Sequence, residues 1–164
     1  MSIDDDFRSL IPPLSDDEYS RLEASIIAEG VRDPIITWGG TIIDGHNRYR
    51  ICQEHGIAFK TAERVFASRD AAKIWIIENQ FARRNLNSYQ KSVLALQLEP
   101  LYAAEAKRRM LAGKSDPSQN LDEGSRIRTD ERLAQVAGVS RGTIRKVKAI
   151  EAEADKGNTV ATLS

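Results

Sequence analysis

The 164-residue chain, 41% hydrophobic and 29% charged, has the composition of a soluble globular protein of one domain or two small ones. No apolar run approaches the ~20 residues that cross a bilayer, and the single cysteine, Cys52, excludes an intrachain disulfide or a zinc cluster. A net charge of zero conceals an asymmetry, 7 Lys/Arg against 12 Asp/Glu in residues 1–66 and 17 against 12 in residues 67–164, so the basic half points either to a polyanion or to an interspersed solvated surface.

Met1 to Phe7 is acidic and has no apolar stretch of the secretory kind, which places the chain in the cytoplasm. Ser15-Asp16-Asp17-Glu18 is a capping box, and the helix it opens carries Tyr19, Leu22 and Ile26 on one stripe and stops at Gly30. Pro34 to Trp38, the Gly39-Gly40 pair and Thr41-Ile42-Ile43 read as a β-hairpin with a primed turn. A helix over 45–55 follows, with Asp44 at its N-cap and Gly56 at its end. Residues 58–66, with Phe59, Val65 and Phe66, are expected to add a strand, and Ser68-Arg69-Asp70 starts a helix to Ala82. Asn87-Ser88-Tyr89-Gln90 is a second capping signal, opening a long helix with a kink at Pro100 that reaches Leu111. The pattern turns from mixed α/β to purely helical near residue 86, Gly113 to Arg128 reads as a loop, and residues 153–164 as a disordered tail.

Three stretches carry chemistry. In Asp44 to Cys52, a strand-to-helix corner at Gly45 offers backbone N–H groups that, with Arg48 and Arg50, form an anion cradle; the alternative is a solvated surface helix. His46 is either a catalytic group or a first-turn residue making one hydrogen bond. In Ile76 to Asn87, Glu78 and Asn79 are adjacent oxygen donors suited to Mg²⁺, with Arg83 or Arg84 for phosphates, unless they are merely solvated or capping.

The sharpest pattern lies at residues 130–150. Ala134 is small where two helices cross, Gly138 permits the positive φ of a tight turn, Val139 plugs that turn, and Ser140 caps the second helix. Ile144 and Val147 then face Leu133 and Ala137, which leaves Ser140, Arg141, Gly142, Thr143, Arg145 and Lys146 facing outward. This is a helix-turn-helix with arginines for guanine and lysine for phosphate. A helical hairpin that never meets DNA is the alternative, and the absence of acidic residues from Ser140 to Ile150 argues against it.

Taken in order, Gly30-Val31-Arg32-Asp33-Pro34-Ile35-Ile36, Asp44-Gly45-His46-Asn47-Arg48-Tyr49-Arg50, Ile77-Glu78-Asn79 and the helix-turn-helix resemble the ParB partition proteins over residues 10–150. The resemblance implies an α/β ParB/sulfiredoxin-like domain (1–86) followed by an all-α helix-turn-helix DNA-binding domain (87–152). It implies CTP or another nucleoside triphosphate with Mg²⁺, double-stranded DNA, a homodimer and a ParA-type ATPase as ligands and partners, and association with nucleoid or plasmid. Gly45, His46, Asn47, Arg48, Arg50, Glu78, Asn79 and Arg83 would then lie by the nucleotide, with Glu78 and Asn79 on the metal, and Glu78 is the one catalytic candidate for triphosphate hydrolysis. Ser140, Arg141, Thr143, Arg145 and Lys146 would meet DNA. The chain departs from the family where His46-Asn47 stands for Glu-Arg and where Arg83 falls one residue late. The superfamily also suggests a free-serine-type kinase or a nuclease as alternatives; sulfiredoxin activity is not expected, because His46 holds the place of its cysteine.

Overall fold

The computed structural model describes residues 1–83, 86–112 and 123–162. The chain divides into two compact units, Met1–Ile76 and Ile77–Ser164, with the division inside one helix, ten residues before the change of sequence pattern at 86.

In the first unit the acidic N-terminus folds into a short helix, α1 (Asp5–Ser9), which Asp4 caps by accepting from the Asp6 and Phe7 amides. Phe7 is buried with Ile43, Ala72 and Ile76, and Leu10, Ile11, Ile36, Trp38, Phe66 and Trp75 pack around them. α2 (Asp16–Glu29) has the expected reciprocal capping box between Ser15 and Glu18. β1 (Ile35–Trp38) and β2 (Thr41–Asp44) form an antiparallel hairpin with a bulge between Ile36 and Thr37. Both turn residues, Gly39 and Gly40, have positive φ, as a type I′ turn requires. α3 (His46–His55) packs on α2 around Ile26, Ile51 and Cys52, and His55 meets Glu23 at 2.8 Å.

The strand expected within 58–66 is the short β3 (Thr61–Glu63), parallel to β1, so the sheet order is β2-β1-β3. Val65 lies outside it and is exposed. α4 (Arg69–Arg83) begins in this unit and ends in the next.

Every described element of the second unit is helical: the end of α4, α5 (Ser88–Leu96), α6 (Leu98–Leu111), α7 (Glu123–Ala137) and α8 (Arg141–Thr162). α5 packs on α7 and α8, and those two pack on each other, with Leu94, Ala95, Leu133, Ala137, Ile144 and Val147 buried. Asn87 and Gln90 form the second reciprocal cap. The break expected at Pro100 falls instead at Gln97, because Pro100 sits in the first turn of α6, where a missing N–H costs no helix bond. Of the loop expected over 113–128, residues 113–122 lie outside the described residues, and α7 has begun by Glu123. α8 continues to Thr162 rather than fraying at 153, since Glu151, Ala152, Glu153 and Ala154 are good helix formers even without an apolar stripe.

Candidate functional sites

The corner before α3 differs from expectation in one respect. Asp44 does not cap the helix; the N-cap residue is Gly45, with φ +93° and no side-chain cap. Asp44 ends β2, and its carboxylate accepts instead from Arg48 Nη2 at 3.1 Å, while the same nitrogen donates to the Pro34 carbonyl at 3.3 Å. Arg48 thereby folds over Gly45, where an added Cβ would lie 2.8 Å from its Nη2.

Beside this corner is a cleft of about 600 Å³ lined by Arg8, Tyr19, His46, Asn47 and Arg50, with Asp5 and Asp16 as its acidic groups. Gly45 and Arg48 are not in its lining. Arg50 is held by Glu54 at 3.0 Å and stacks 4.7 Å above the Tyr19 ring. His46 is only 9% exposed, and neither ring nitrogen has a partner at hydrogen-bonding geometry. Burial holds its pKa below 6.5; Asp44 and the Ile42 carbonyl oppose this, and Arg8 adds to it. The cleft therefore offers two arginines and an amide beside a buried imidazole, a set suited to a phosphate-bearing anion. Arg8 is the contribution that the sequence reading missed, because α1 belongs to no recognised box; its signal was the Asp4 cap with Phe7 one turn later.

Glu78 and Asn79 lie on the second-unit part of α4, so the structure assigns these expected metal donors and the cleft residues to different units. Tyr102 donates to the Glu78 carboxylate at 3.1 Å, and burial, reinforced by Glu78, pushes this phenol up to about 12. The Arg132 guanidinium covers the Tyr102 ring at 3.6 Å. The Asn79 amide nitrogen is buried without a partner. One carboxylate and one amide oxygen suit a hard cation only where phosphate oxygens complete its shell. The Arg83 side chain and Arg84 lie outside the described residues.

At the far end of the chain, α7 stops in a Schellman arrangement: Val139 N donates to Ala134 O at 3.0 Å and Gly138 N to Gln135 O at 3.2 Å, with Gly138 at φ +63°. Ser140 caps α8 by accepting from the Thr143 amide at 3.1 Å. Leu133, Ala134, Ala137, Ile144 and Val147 are buried, while Ser140, Arg141, Gly142, Arg145 and Lys146 are exposed and Thr143 is half-buried. Two of the exposed cations are engaged, Arg141 Nη1 with Glu131 at 3.1 Å and Arg145 Nε with Asp130 at 3.2 Å.

Cys52 is buried and burial pushes its thiol up, the setting of a structural cysteine. No helix among the described residues is long and apolar enough to cross a membrane.

No protein-family model and no curated protein matches the sequence. Among solved structures, the C2221 form of a Pnob8-like ParB-N domain aligns at TM-score 0.65 with 19% identity, covering 89% of this chain and 63% of that one. A second pNOB8-like ParB N-domain structure aligns at 0.63 with 22% identity, covering 89% and 59%. The C-terminally truncated partitioning protein ParB from Caulobacter crescentus, complexed with CTP-gamma-S, aligns at only 0.43 with 19% identity, covering 92% and 73%. The chain thus spans about three-fifths of the length of the first two. On that likeness, the chain has the fold of a ParB N-domain.

Proposed function

We propose that this is a ParB-like protein that binds duplex DNA sequence-specifically through a helix-turn-helix made of α7 and α8, and that takes a CTP-type nucleoside triphosphate in the cleft beside α3. The observation that carries this reading is the α7–α8 corner: a Schellman stop and a serine cap hold a helix whose inner face is buried and whose outer face presents Arg141, Arg145 and Lys146. Such a helix can lie in the major groove with its N-terminal residues at the base edges. A single copy would grip DNA weakly and with strong salt dependence, so a homodimer on a palindromic site is part of the proposal. Residues 1–86 would form the nucleotide domain and 87–152 the DNA domain.

The nucleotide half rests on the cleft. His46, Asn47, Arg50 and Arg8 would hold phosphates, a reading supported by the two arginines and the amide that line the cleft together. Glu78 and Asn79, on the second-unit part of α4, would be oxygen donors to a hard cation such as Mg²⁺. A second reading, phosphoryl transfer to a small hydroxyl compound, draws on the same unpartnered His46.

The test is titration with CTP, ATP and GTP in the presence of Mg²⁺, with and without a duplex selected by the protein. Replacing Arg141 and Arg145 by Ala is expected to abolish retention of that duplex and leave nucleotide binding intact. Turnover of serine with ATP, insensitive to those changes, would favour the kinase reading instead.

A further inference from the structure

The pair between Asp130 on α7 and Arg145 on α8 has an unusual division of exposure. The Asp130 side chain is 11% exposed and that of Arg145 52%, with Arg145 Nε donating to Asp130 Oδ2 at 3.2 Å. A nearly buried carboxylate stripped of its cationic partner is strongly unfavourable, so Arg145 remains at Asp130 when something approaches its outer end. A guanidinium has five N–H donors in a rigid fork, and Nε holds one of them. Among the described residues, Nη1 and Nη2 of Arg145 make no other hydrogen bond. The four remaining donors point along the free end of the side chain, the end that pairs with O6 and N7 of guanine.

The neighbouring cations are treated differently. Lys146 is exposed and has no ion-pair partner among the described residues, which leaves a full point charge for a phosphate. Arg141 pairs by a terminal nitrogen, Nη1, with Glu131, and both side chains are well exposed at 42% and 58%. Such a surface pair contributes little and releases readily. Of these three cations, Arg145 is the one held at its inner nitrogen by a nearly buried carboxylate and open at its outer ones.

We propose that Asp130 is a positioning residue that fixes Arg145 as a reader of one guanine in the major groove. This rests on the DNA-binding reading of α8. Asp130 is itself too buried to reach a base, and its charge discourages Arg145 from settling on a phosphate. The side-chain freedom of Arg145 is already lost before DNA arrives, so the base contact costs less ordering.

The experiment is selection of randomised duplexes by the full chain, followed by sequencing of the enriched pool, with melting temperature measured for each variant. The wild type is expected to enrich a site containing one guanine whose preference Arg145→Ala erases, a change of about tenfold or more at that base pair. Asp130→Ala is expected to erase preference at that same base pair and no other, while binding to bulk duplex tightens because a negative charge has gone. Asp130→Asn, whose amide oxygen still accepts from Nε, keeps part of the preference. Lys146→Ala lowers affinity for every duplex alike. The inference is overturned if Asp130→Ala and Asp130→Asn leave the guanine preference intact, or if they flatten all positions together with a drop in melting temperature. It is also overturned if Arg145→Ala changes no single position. If the wild type enriches no sequence at all, the DNA-binding reading falls with it.

Discussion

Arg48 closes over Gly45 to meet Asp44 at 3.1 Å, which makes the corner before α3 a clamp within the fold rather than an open cradle. Both side chains are largely buried, and Arg48 Nε lies there without a partner. Gly45→Ala would force φ +93° on a residue with a Cβ and press that Cβ against Nη2. The expected loss is about 1–3 kcal/mol, read as a lower urea midpoint. Arg48→Ala deprives a buried carboxylate of a cation and should cost about 2 kcal/mol or more. A neutral outcome for both would mean the corner is slack.

In the cleft, Arg8→Ala should weaken binding of CTP about tenfold, the worth of one charged hydrogen bond. The change tests whether α1, which no box marks, belongs to the site. Asn47→Ala should act in the same direction by a smaller factor. Binding of inorganic tripolyphosphate should tighten as pH falls from 8 to 6, because an anion beside His46 favours the imidazolium that burial disfavours. Calorimetry in two buffers of different ionisation enthalpy would register the proton taken up.

Two buried groups set opposite limbs of the stability profile. His46 has its pKa lowered below 6.5 by burial, so below about pH 6.5 the unfolded chain holds a proton that the folded chain does not. Stability therefore falls as pH drops through that range, and His46→Gln should flatten the fall in melting temperature between pH 7 and 5. Tyr102 is raised from 10.0 to about 12 by burial and Glu78, so between those values the folded chain keeps a proton that the unfolded chain loses. Stability then falls as pH rises above 10. Tyr102→Phe should reduce that alkaline slope, to which Cys52, Tyr19 and Tyr89, also raised, add their own parts, while costing about 1 kcal/mol at neutral pH for the lost bond to Glu78.

On the outer face of α8, Lys146→Ala should reduce the slope of log affinity against log salt by roughly one unit, the signature of one phosphate contact. Arg141, held by a releasable surface pair with Glu131, should behave likewise. Fluorescence anisotropy with one labelled duplex at several salt concentrations measures both.

Local signals carried much of the architecture. Ser15 with Glu18 and Asn87 with Gln90 form the caps their spacing announces, and Gly39-Gly40 turns the hairpin, because such motifs close within a few residues of the chain. The α7–α8 corner was equally legible: each position from Ala134 to Val147 has a steric task set by its immediate neighbours. Less was visible where partners come from afar. α1 forms because Asp4 caps it, Phe7 finds Ile43 and Ala72, and Arg69 reaches back to Asp4 at 2.8 Å. β3 exists because β1 lies alongside, and its own residues carry little alternation.

By itself the sequence determined the hairpin and its turn, the reciprocal caps at Ser15 and Asn87, and which faces of α7 and α8 would be buried, since all of these follow from periodicity and short-range sterics. Only the tertiary structure decided what each charged side chain would do. Arg48 was committed to Asp44, Glu78 to Tyr102 and Arg145 to Asp130, and His46 was left unpartnered at a cleft. The reason is physical: a charge buried in folding takes whatever counter-charge or donor the packing brings to it, and that neighbour is set by the path of the whole chain.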